Sequence, residues 1–234
     1  MKRFPIGAVA ALATAGLVSF APAVRAQTPP PDAILDVAAV HPSVLTTYQQ
    51  FTTSFTATVS TTYVSWAFRE VPAYFAFDDA SVTAAGSTTN LLTDPGFESA
   101  TPGTNIPAGW TRFIQPVDVT AIGTVASNAA PYGCPPNAAH GGTQFWCDGS
   151  VEGYDGLSQA IPTTVGQTYN ISFWLGDNSN QALTNPTIDT LVYAGPTLPG
   201  GTIPIGGVPE PASLALLGSG LLGLVAARRR ARRQ

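Results

Sequence analysis

The sequence predicts an all-β protein built as a two-sheet sandwich, and three observations support this fold class. Hydrophobic and polar residues alternate in several segments, most clearly where Phe51, Phe55 and Ala57 would share one face and the intervening threonines the other. Threonine and aromatic residues are enriched there, as is typical of half-buried strands. Eight or more such segments follow one another at close spacing, and no helical period interrupts them, which indicates a β-sandwich.

The elements are predicted in chain order. The first candidate strand is Ile34–Val40, an apolar run that ends before a proline. After the strand around Phe51, a turn at residues 60–62 leads to a second alternation with Val64, Trp66 and Phe68 in the core. The same reasoning predicts further strands at 73–82, 117–120, 122–125, 157–161, 168–175 and 188–193.

The predicted strand at 168–175 gives its largest residue an unusual place. The core face would carry the apolar positions of the alternation: Tyr169, Ile171, Phe173 and Leu175. Trp174 therefore points away from the core, which is rare for so large a side chain. An aromatic ring on an exposed sheet face is suited to stacking on sugars, so Trp174 and nearby Asn178 are candidate carbohydrate-binding residues. The alternative is that a loop covers Trp174.

The N-terminus has the pattern of a secretory signal peptide. Lys2 and Arg3 precede the apolar run Ala8–Phe20, and Val24 and Ala26 place small residues at the −3 and −1 positions of a cleavage site. We expect residues 1–26 to be removed on export. The sandwich is then predicted at 27–194, with halves at 32–89 and 90–194, and a Pro/Gly linker at 195–207.

The C-terminal segment combines three features in a fixed order. Pro209-Glu210-Pro211 leads into an uncharged apolar run at 212–227, which is followed by arginines. As a helix the run would be about 24 Å long, against about 30 Å for a bilayer core, and arginine stems reach part of the difference. Basic flanks stay in the cytoplasm, so the rest of the chain would lie outside the inner membrane. The arginines begin with Arg228, Arg229 and Arg230.

These features resemble the PEP-CTERM sorting signal of Gram-negative bacteria, over residues 208–234. The resemblance implies that an exosortase-type enzyme acts near Pro209–Pro211 on an exported chain. The body would be anchored transiently at the inner membrane, within the periplasm, and then reach the cell surface or extracellular matrix. The export machinery is the other implied partner. The alternative is an ordinary C-terminal membrane anchor.

The charge distribution excludes several classes of partner. Eight of the ten basic residues lie in the terminal segments, which leaves Arg69 and Arg112 against thirteen acids in the body. The net charge of the body is therefore near −11, compared with −4 for the full chain. Such a body has no basic patch for nucleic acid or anionic lipid. It fits a soluble exported protein or one that holds divalent cations.

The two cysteines predict a disulfide. In an oxidising compartment Cys134 and Cys147 would pair and close a 14-residue loop. On the chain-entropy model such a bond stabilises by about 3 kcal/mol. His140 lies between them and leaves a metal site as an alternative, although three residues at this spacing match no strong zinc pattern.

The densest acidic group of the body contains Asp148, Glu152 and Asp155, interleaved with Trp146 and Tyr154. It has three interpretations: a solvated loop, a sugar-binding rim formed by Trp146, Tyr154 and Asp155, or a pair of glycosidase carboxylates. No nucleophile–histidine pattern, phosphate loop or dinucleotide fingerprint accompanies it. We therefore expect a protein that is not an enzyme.

A second resemblance concerns the body. Asn90–Glu98, Gly109-Trp110 and Leu157–Leu175 are similar to the galactose-binding-like jelly rolls of carbohydrate-binding modules. In that family a segment like 90–98 opens the fold, and a segment like Asp78–Val82 closes it. The order is inverted here, which suggests a circular permutation, with two truncated tandem copies as the alternative. A structure that separates the opening and closing segments would reject the permutation.

The same resemblance implies a structural calcium ion, with ligands from Glu98 and from Asp78 or Asp79. The alternative is that Asp79 and Glu98 end strands in solvent. Together, the sequence predicts an exported polysaccharide-binding protein acting in the organism's own exopolysaccharide. A structural biofilm-matrix protein without a specific ligand is the first alternative. An ice-binding protein is the second, suggested by the threonine-rich segment Thr52–Thr62, although one strand does not supply a flat threonine array.

Overall fold

The computed structural model describes residues 28–37, 47–71, 74–116, 123–134, 139–151, 153–176 and 187–205. The eleven elements that these ranges contain in full are β-strands, which confirms the all-β class. Several predictions lie outside these ranges: the signal peptide, the strand at 117–120, Glu152, Asn178, the Pro-Glu-Pro motif, the span at 212–227 and the arginines that follow it. Among the described residues, no helix has the length and apolarity needed to cross a membrane.

The strands form two antiparallel sheets. Sheet A has the order β1-β10-β3-β8-β5-β11: β1 (Leu35–Asp36), β10 (Thr187–Gly195), β3 (Thr61–Val71), β8 (Asp155–Pro162), β5 (Thr111–Ile114) and β11 (Ile203–Ile205). Sheet B has the order β2-β9-β4-β7-β6: β2 (Gln49–Thr56), β9 (Thr168–Gly176), β4 (Phe75–Ala84), β7 (Gln144–Asp148) and β6 (Thr124–Ser127). Apart from β6–β7 and β10–β11, successive strands alternate between the sheets.

The main core lies between the sheets and uses the inward positions that the alternation predicts. Trp66 is fully buried, and its ring centroid lies 5.5 Å from that of Phe77, 5.8 Å from that of Trp110 and 6.2 Å from that of Phe173. In β9 the predicted core positions are buried, whereas Trp174 is only partly buried, on the outer face. The predicted side-chain orientation of this strand is therefore correct.

Strand β7 is a part of the sandwich for which the sequence pattern predicts no strand. All five of its side chains are buried, because β7 lies between β4 and β6 with both of its faces covered. Trp146 belongs to the main core, whereas Phe145 and Cys147 pack in a second cluster on the other face. A strand that is buried on both faces has no alternation to detect. The predicted disulfide between Cys134 and Cys147 is present in this second cluster.

The predicted linker at 195–207 also needs correction, because it contains strand β11. Ile203 pairs with Ile114 of β5, and Ile205 pairs with Arg112. Pro204 lacks an amide hydrogen, but β11 is the edge of sheet A, where proline is tolerated. The folded body therefore extends to residue 205.

Segments from both ends of the described chain cover the outer face of sheet A. Leu198 packs on a small cluster there, formed by Ala67, Phe113, Tyr154, Leu191 and Tyr193. The Tyr193 hydroxyl donates to the Pro30 carbonyl at 2.8 Å. The outer face of sheet A is thus a second packed layer.

The segments that resemble the opening and closing pieces of the jelly roll are neighbours. The amide of Ala80 donates to the Pro95 carbonyl at 3.1 Å, and the amide of Leu91 donates to the Val82 carbonyl at 2.8 Å. The Asn90 side chain joins the same two segments, accepting from the Val82 amide and donating to the Ala80 carbonyl. The separation that would have rejected the permutation is not observed.

Candidate functional site

The outer face of sheet B carries a shallow groove of about 510 Å³. Its floor follows from the strand register, because directly opposed residues of antiparallel strands share a face. Ser172 of β9 lies opposite both Thr52 and Ser81, and Asn170 lies opposite both Ser54 and Thr83. We call this surface the hydroxyl groove, lined by Thr52, Thr53, Ser54, Ser81, Thr83, Asn170, Ile171 and Ser172. None of its lining residues is charged.

Trp174 continues the same face at one end of the groove. It lies opposite Gln50 of β2 and Asp78 of β4, one row beyond Ser172. The His140 ring stacks on the Trp174 ring with centroids 3.9 Å apart and planes at 17°. Tyr48 contacts His140 edge-on at 5.2 Å. His140, a loop residue, therefore covers one face of the Trp174 ring. The part of this partly buried ring that remains exposed borders the groove.

A β-bulge in β4 positions the partner of His140. The register with β9 shifts between Asp78 and Ser81, so that two residues of β4 oppose one of β9. Asp79 sits in the bulge with a φ of 46°, in the left-handed region where aspartate is better tolerated than most residues. Its Oδ2 lies 2.7 Å from His140 Nδ1. The bulge therefore places the Asp79 carboxylate beside the histidine that covers Trp174.

Asp78 is fully buried beneath the same loop. Its Oδ2 accepts from the amides of His140 at 2.8 Å and Gly141 at 3.2 Å, and its Oδ1 accepts from the amide of Asp79 at 2.7 Å. Burial, and secondly the charge of Asp79, raise the pKa of Asp78 to about 7. Asp78 therefore fixes the backbone of the loop rather than facing solvent.

Glu98 holds the other end of this loop. Its Oε1 accepts from the amides of Thr143 and Gln144, both at 2.8 Å, and its Oε2 accepts from the Thr143 hydroxyl at 3.2 Å. We call residues 139–144 the clasped loop. At Gly142, where φ is +58°, a Cβ would lie 2.3 Å from Glu98 Oε1, so the close approach of loop and carboxylate requires glycine.

The three predicted calcium ligands are thus brought to one loop, and two of them hold it by hydrogen bonds. N–H and O–H donors occupy the carboxylate oxygens of Asp78 and Glu98, and a calcium ion needs several such oxygens directed at one point. In the ranges that the structure describes, no group of three or more His, Cys, Asp or Glu residues could hold a metal ion. The alternative, that Asp79 and Glu98 end strands in solvent, is wrong for Asp79, which lies inside β4.

We expect the melting temperature of the body to be the same in EDTA and in millimolar calcium. The physical reason is that Asp78 and Glu98 are already satisfied by the clasped loop, so no ion is needed to neutralise them. Differential scanning calorimetry checks this, with magnesium as the matched control ion. If the melting temperature fell by several degrees in EDTA and calcium alone restored it, the prediction would be wrong and the body would bind calcium.

The predicted sugar-binding rim is wrong, because Trp146, Tyr154 and Asp155 are fully buried. The indole Nε1 of Trp146 donates to Asp148 Oδ2 at 3.0 Å, and the Tyr154 hydroxyl donates to Asp189. A ring without exposed surface offers no face to a sugar. The solvated-loop interpretation fails for Asp148 and Asp155 for the same reason, and Glu152 lies outside the described residues.

Asp148 and Asp155 instead form a buried carboxyl pair with one cation. Arg112 Nη2 lies 2.9 Å from Asp155 Oδ2, and both side chains are almost without solvent contact. Burial, and secondly the neighbouring Asp148, raise the pKa of Asp155 well above its usual range, although Arg112 opposes this. Burial also raises the pKa of Asp148. The pair therefore retains a proton at pH values where both acids would be ionised in the unfolded chain.

The unfolding free energy of the body is expected to fall as the pH rises from about 4 to about 7. Asp78, Asp148, Asp155 and Asp189 all have a native pKa above the usual 3.8, so the native state binds more protons than the unfolded state in this window. Stability then declines with pH and is greatest at the acidic end. Urea titrations across the window measure the slope. Asp78→Asn should reduce the slope near pH 7, and a stability that rises between pH 5 and 7 would contradict the assignment.

Comparison with known proteins identifies the tail. Residues 207–230 match the family model described as the PEP-CTERM protein-sorting motif. No curated protein and no solved structure matches the chain. The predicted sorting signal is therefore confirmed, and with it an exosortase system as the processing partner. Proteins with this motif are exported and are anchored in the membrane before the exosortase cleaves them.

Proposed function

We propose that this exosortase substrate is a non-catalytic polysaccharide-binding protein whose ligand lies in the hydroxyl groove. The observation that carries the proposal is the three-strand register, which places Thr52, Ser172 and Ser81 in one row with Trp174 one row beyond. Hydroxyl and amide groups on a rigid sheet can exchange hydrogen bonds with sugar hydroxyls, and an aromatic ring adds stacking on the sugar face. A groove that crosses three strands fits an extended polymer.

The charges favour a neutral ligand. The lining of the groove is uncharged, and Asp79 and the strongly acidic body surround it with negative potential. A polymer of uronic acids or sulfated sugars would be repelled, whereas a neutral glucan, mannan or galactan would not. The proposal therefore predicts binding to neutral polysaccharides, and not to exopolysaccharides in general.

A glycan array on residues 27–208 tests the proposal. We expect neutral polysaccharides to bind, with binding reduced about tenfold or more by Asn170→Ala or Trp174→Ala, which corresponds to the loss of about 1.4 kcal/mol. Val165→Ala is the matched control, because Val165 is exposed in the β8–β9 turn and does not line the groove. Binding that is indifferent to both groove variants would reject the site.

If no glycan binds, the alternative is favoured, which is a structural matrix protein whose sandwich only needs to be stable.

Ice binding is a weaker alternative, and the strand register indicates which residues would form the ice-binding surface. The structure adds Ser and Thr rows on β9 and β4 to the threonines of β2, including a contact of 3.4 Å between the hydroxyls of Thr56 and Thr168. Asn170 and the serines interrupt the regularity that an ice surface requires. An ice-recrystallisation assay on the same protein separates this case.

We infer that the body is a circularly permuted jelly roll. The alternation of successive strands between the sheets supports a jelly roll, and the contacts of 78–82 with 90–98 support a junction made at the Ala85–Gly86 turn. The ends that a permutation would create also lie together, since the amide of Ile34 donates to the Val192 carbonyl at 2.7 Å. A chain reopened near Gly86, with residues 34 and 193 joined, should fold to the same sandwich.

The buried carboxyl pair supports a non-catalytic role. A glycosidase needs one carboxyl group on each side of a bound glycosidic bond, with room for the sugar and water. Asp148 and Asp155 are closed off by Trp146, Arg112 and the backbone, and a Cβ on Gly123 would lie 2.7 Å from Asp148 Oδ2.

In our proposal, the mature protein acts at the cell surface or in the extracellular matrix, after the exosortase has released it from the inner membrane.

A further inference from the structure

Strand β11 fixes where the sorting tail leaves the folded body. Residues 203–205 pair in register with β5, and Thr202 is tied back by its amide and hydroxyl, which both donate to the Pro199 carbonyl. Leu198 packs on the outer face of sheet A. The chain is therefore held by the body up to Ile205, four residues before Pro209.

This short distance limits the geometry of processing. Four residues span at most about 14 Å when fully extended. An enzyme that holds Pro209–Pro211 must therefore have part of its surface within about 14 Å of Ile205. The nearest surface of the body is the edge formed by β5 and β11, which we call the exit edge.

The N-terminal end of the described chain reaches the same place independently. The Gln115 side-chain amide donates to the Thr28 carbonyl at 3.1 Å, and Gln115 directly follows β5. A Cβ on Gly200 would lie 3.5 Å from Pro31 Cγ, so the two end segments touch. Both ends of the body thus converge on sheet A beside the exit edge.

We propose that the exit edge is the surface at which the folded body meets its exosortase-type processing enzyme. The enzyme works on a site that the body carries close to its edge, rather than on a free peptide at the end of a linker. The face of sheet B that bears the hydroxyl groove takes no part in this contact. The inference depends on the sorting motif and β11, and it is independent of any sugar ligand.

Site-specific photocrosslinking in the native host tests this surface. The full chain is made with Ile203→p-benzoylphenylalanine, at a position where the side chain is 48% exposed on the exit edge. The matched control is Val165→p-benzoylphenylalanine, at a position that is 64% exposed in the β8–β9 turn and lines neither the exit edge nor the hydroxyl groove. We expect an adduct with the processing enzyme from position 203 and none above background from position 165. Resistance of the body to protease confirms that both chains are folded.

A lengthened chain tests whether the short tether causes the contact. Inserting about 12 Gly and Ser residues after Gly206 extends the reach by up to about 40 Å, and we expect it to abolish the adduct while the body stays folded. Three results would overturn the proposal: equal adducts from both positions, an adduct from position 203 with phospholipid only, or an adduct that survives the insertion. Glycan binding by the same variants is measured separately, so a failure of the exit edge is distinguishable from a failure of the groove.

Discussion

Replacing Arg112 with methionine is expected to destabilise the body by about 3–5 kcal/mol at neutral pH, which is the usual cost of removing one partner of a buried ion pair. The guanidinium pairs with Asp155 at 2.9 Å and lies 5.8 Å from the centroid of the Trp146 ring. Its removal leaves Asp148 and Asp155 buried together without a cation. Urea unfolding followed by circular dichroism measures the change.

Two comparisons distinguish the loss of this buried ion pair from the loss of any arginine. Arg69→Met should cost no more than about 1 kcal/mol, because Arg69 is partly exposed and solvent screens its interactions with Asp189 and Tyr154. The Arg112→Met penalty should also shrink at pH 5, where protonation of the pair removes the uncompensated charge. Adding Asp155→Asn should restore part of the stability. Equal losses in both arginine variants, or a penalty that does not change with pH, would contradict the buried network.

Removal of the disulfide is expected to have the next largest effect, a loss of about 3 kcal/mol for the double variant Cys134→Ala, Cys147→Ala. The bond closes a loop that contains the clasped loop, so its absence gives the unfolded chain more freedom. Asp78 and Glu98 still hold residues 139–144 in the native state. The denaturation midpoint should therefore fall, whereas the native fluorescence of Trp174 beneath His140 should not change.

Reduction provides the control for this prediction. Dithiothreitol should lower the midpoint of the parent protein to that of the double variant and leave the double variant unaffected. A red shift of the native tryptophan emission in the double variant would show that the carboxylates alone do not hold His140 on Trp174. In that case the disulfide would act on the native state as well as on the unfolded chain.

The parts of the fold that the sequence predicted correctly are strands in which every second residue on the core side is large and apolar. In β9 this alternation identified the core positions and the outward direction of Trp174. In β3 it placed Val64, Trp66 and Phe68 in the core. The disulfide followed from the number of cysteines and the expected compartment. Each of these predictions depends on local pattern or composition.

The remaining features depend on contacts between distant parts of the chain. Strand β7 has no alternation because both of its faces are covered, and Asp148 and Asp155 were assigned to the surface because they are charged. The cation that pairs with Asp155 is Arg112, which lies more than thirty residues earlier in the chain. The hydroxyl groove requires the register of Ser172 with Thr52 and Ser81, which no local pattern specifies. Strand β11 has a sequence typical of a linker. It becomes a strand because it pairs with β5 at the edge of sheet A.

The two outer faces of the sandwich differ in what they leave open. The face of sheet A is occupied by end segments of the described chain, whereas the described residues leave the face of sheet B open along the rows that contain Ser172 and Asn170. In our proposal, a polymer seated across sheet B would leave the exit edge of sheet A accessible to the processing enzyme. Glycan capture and release from the membrane would then be separable events.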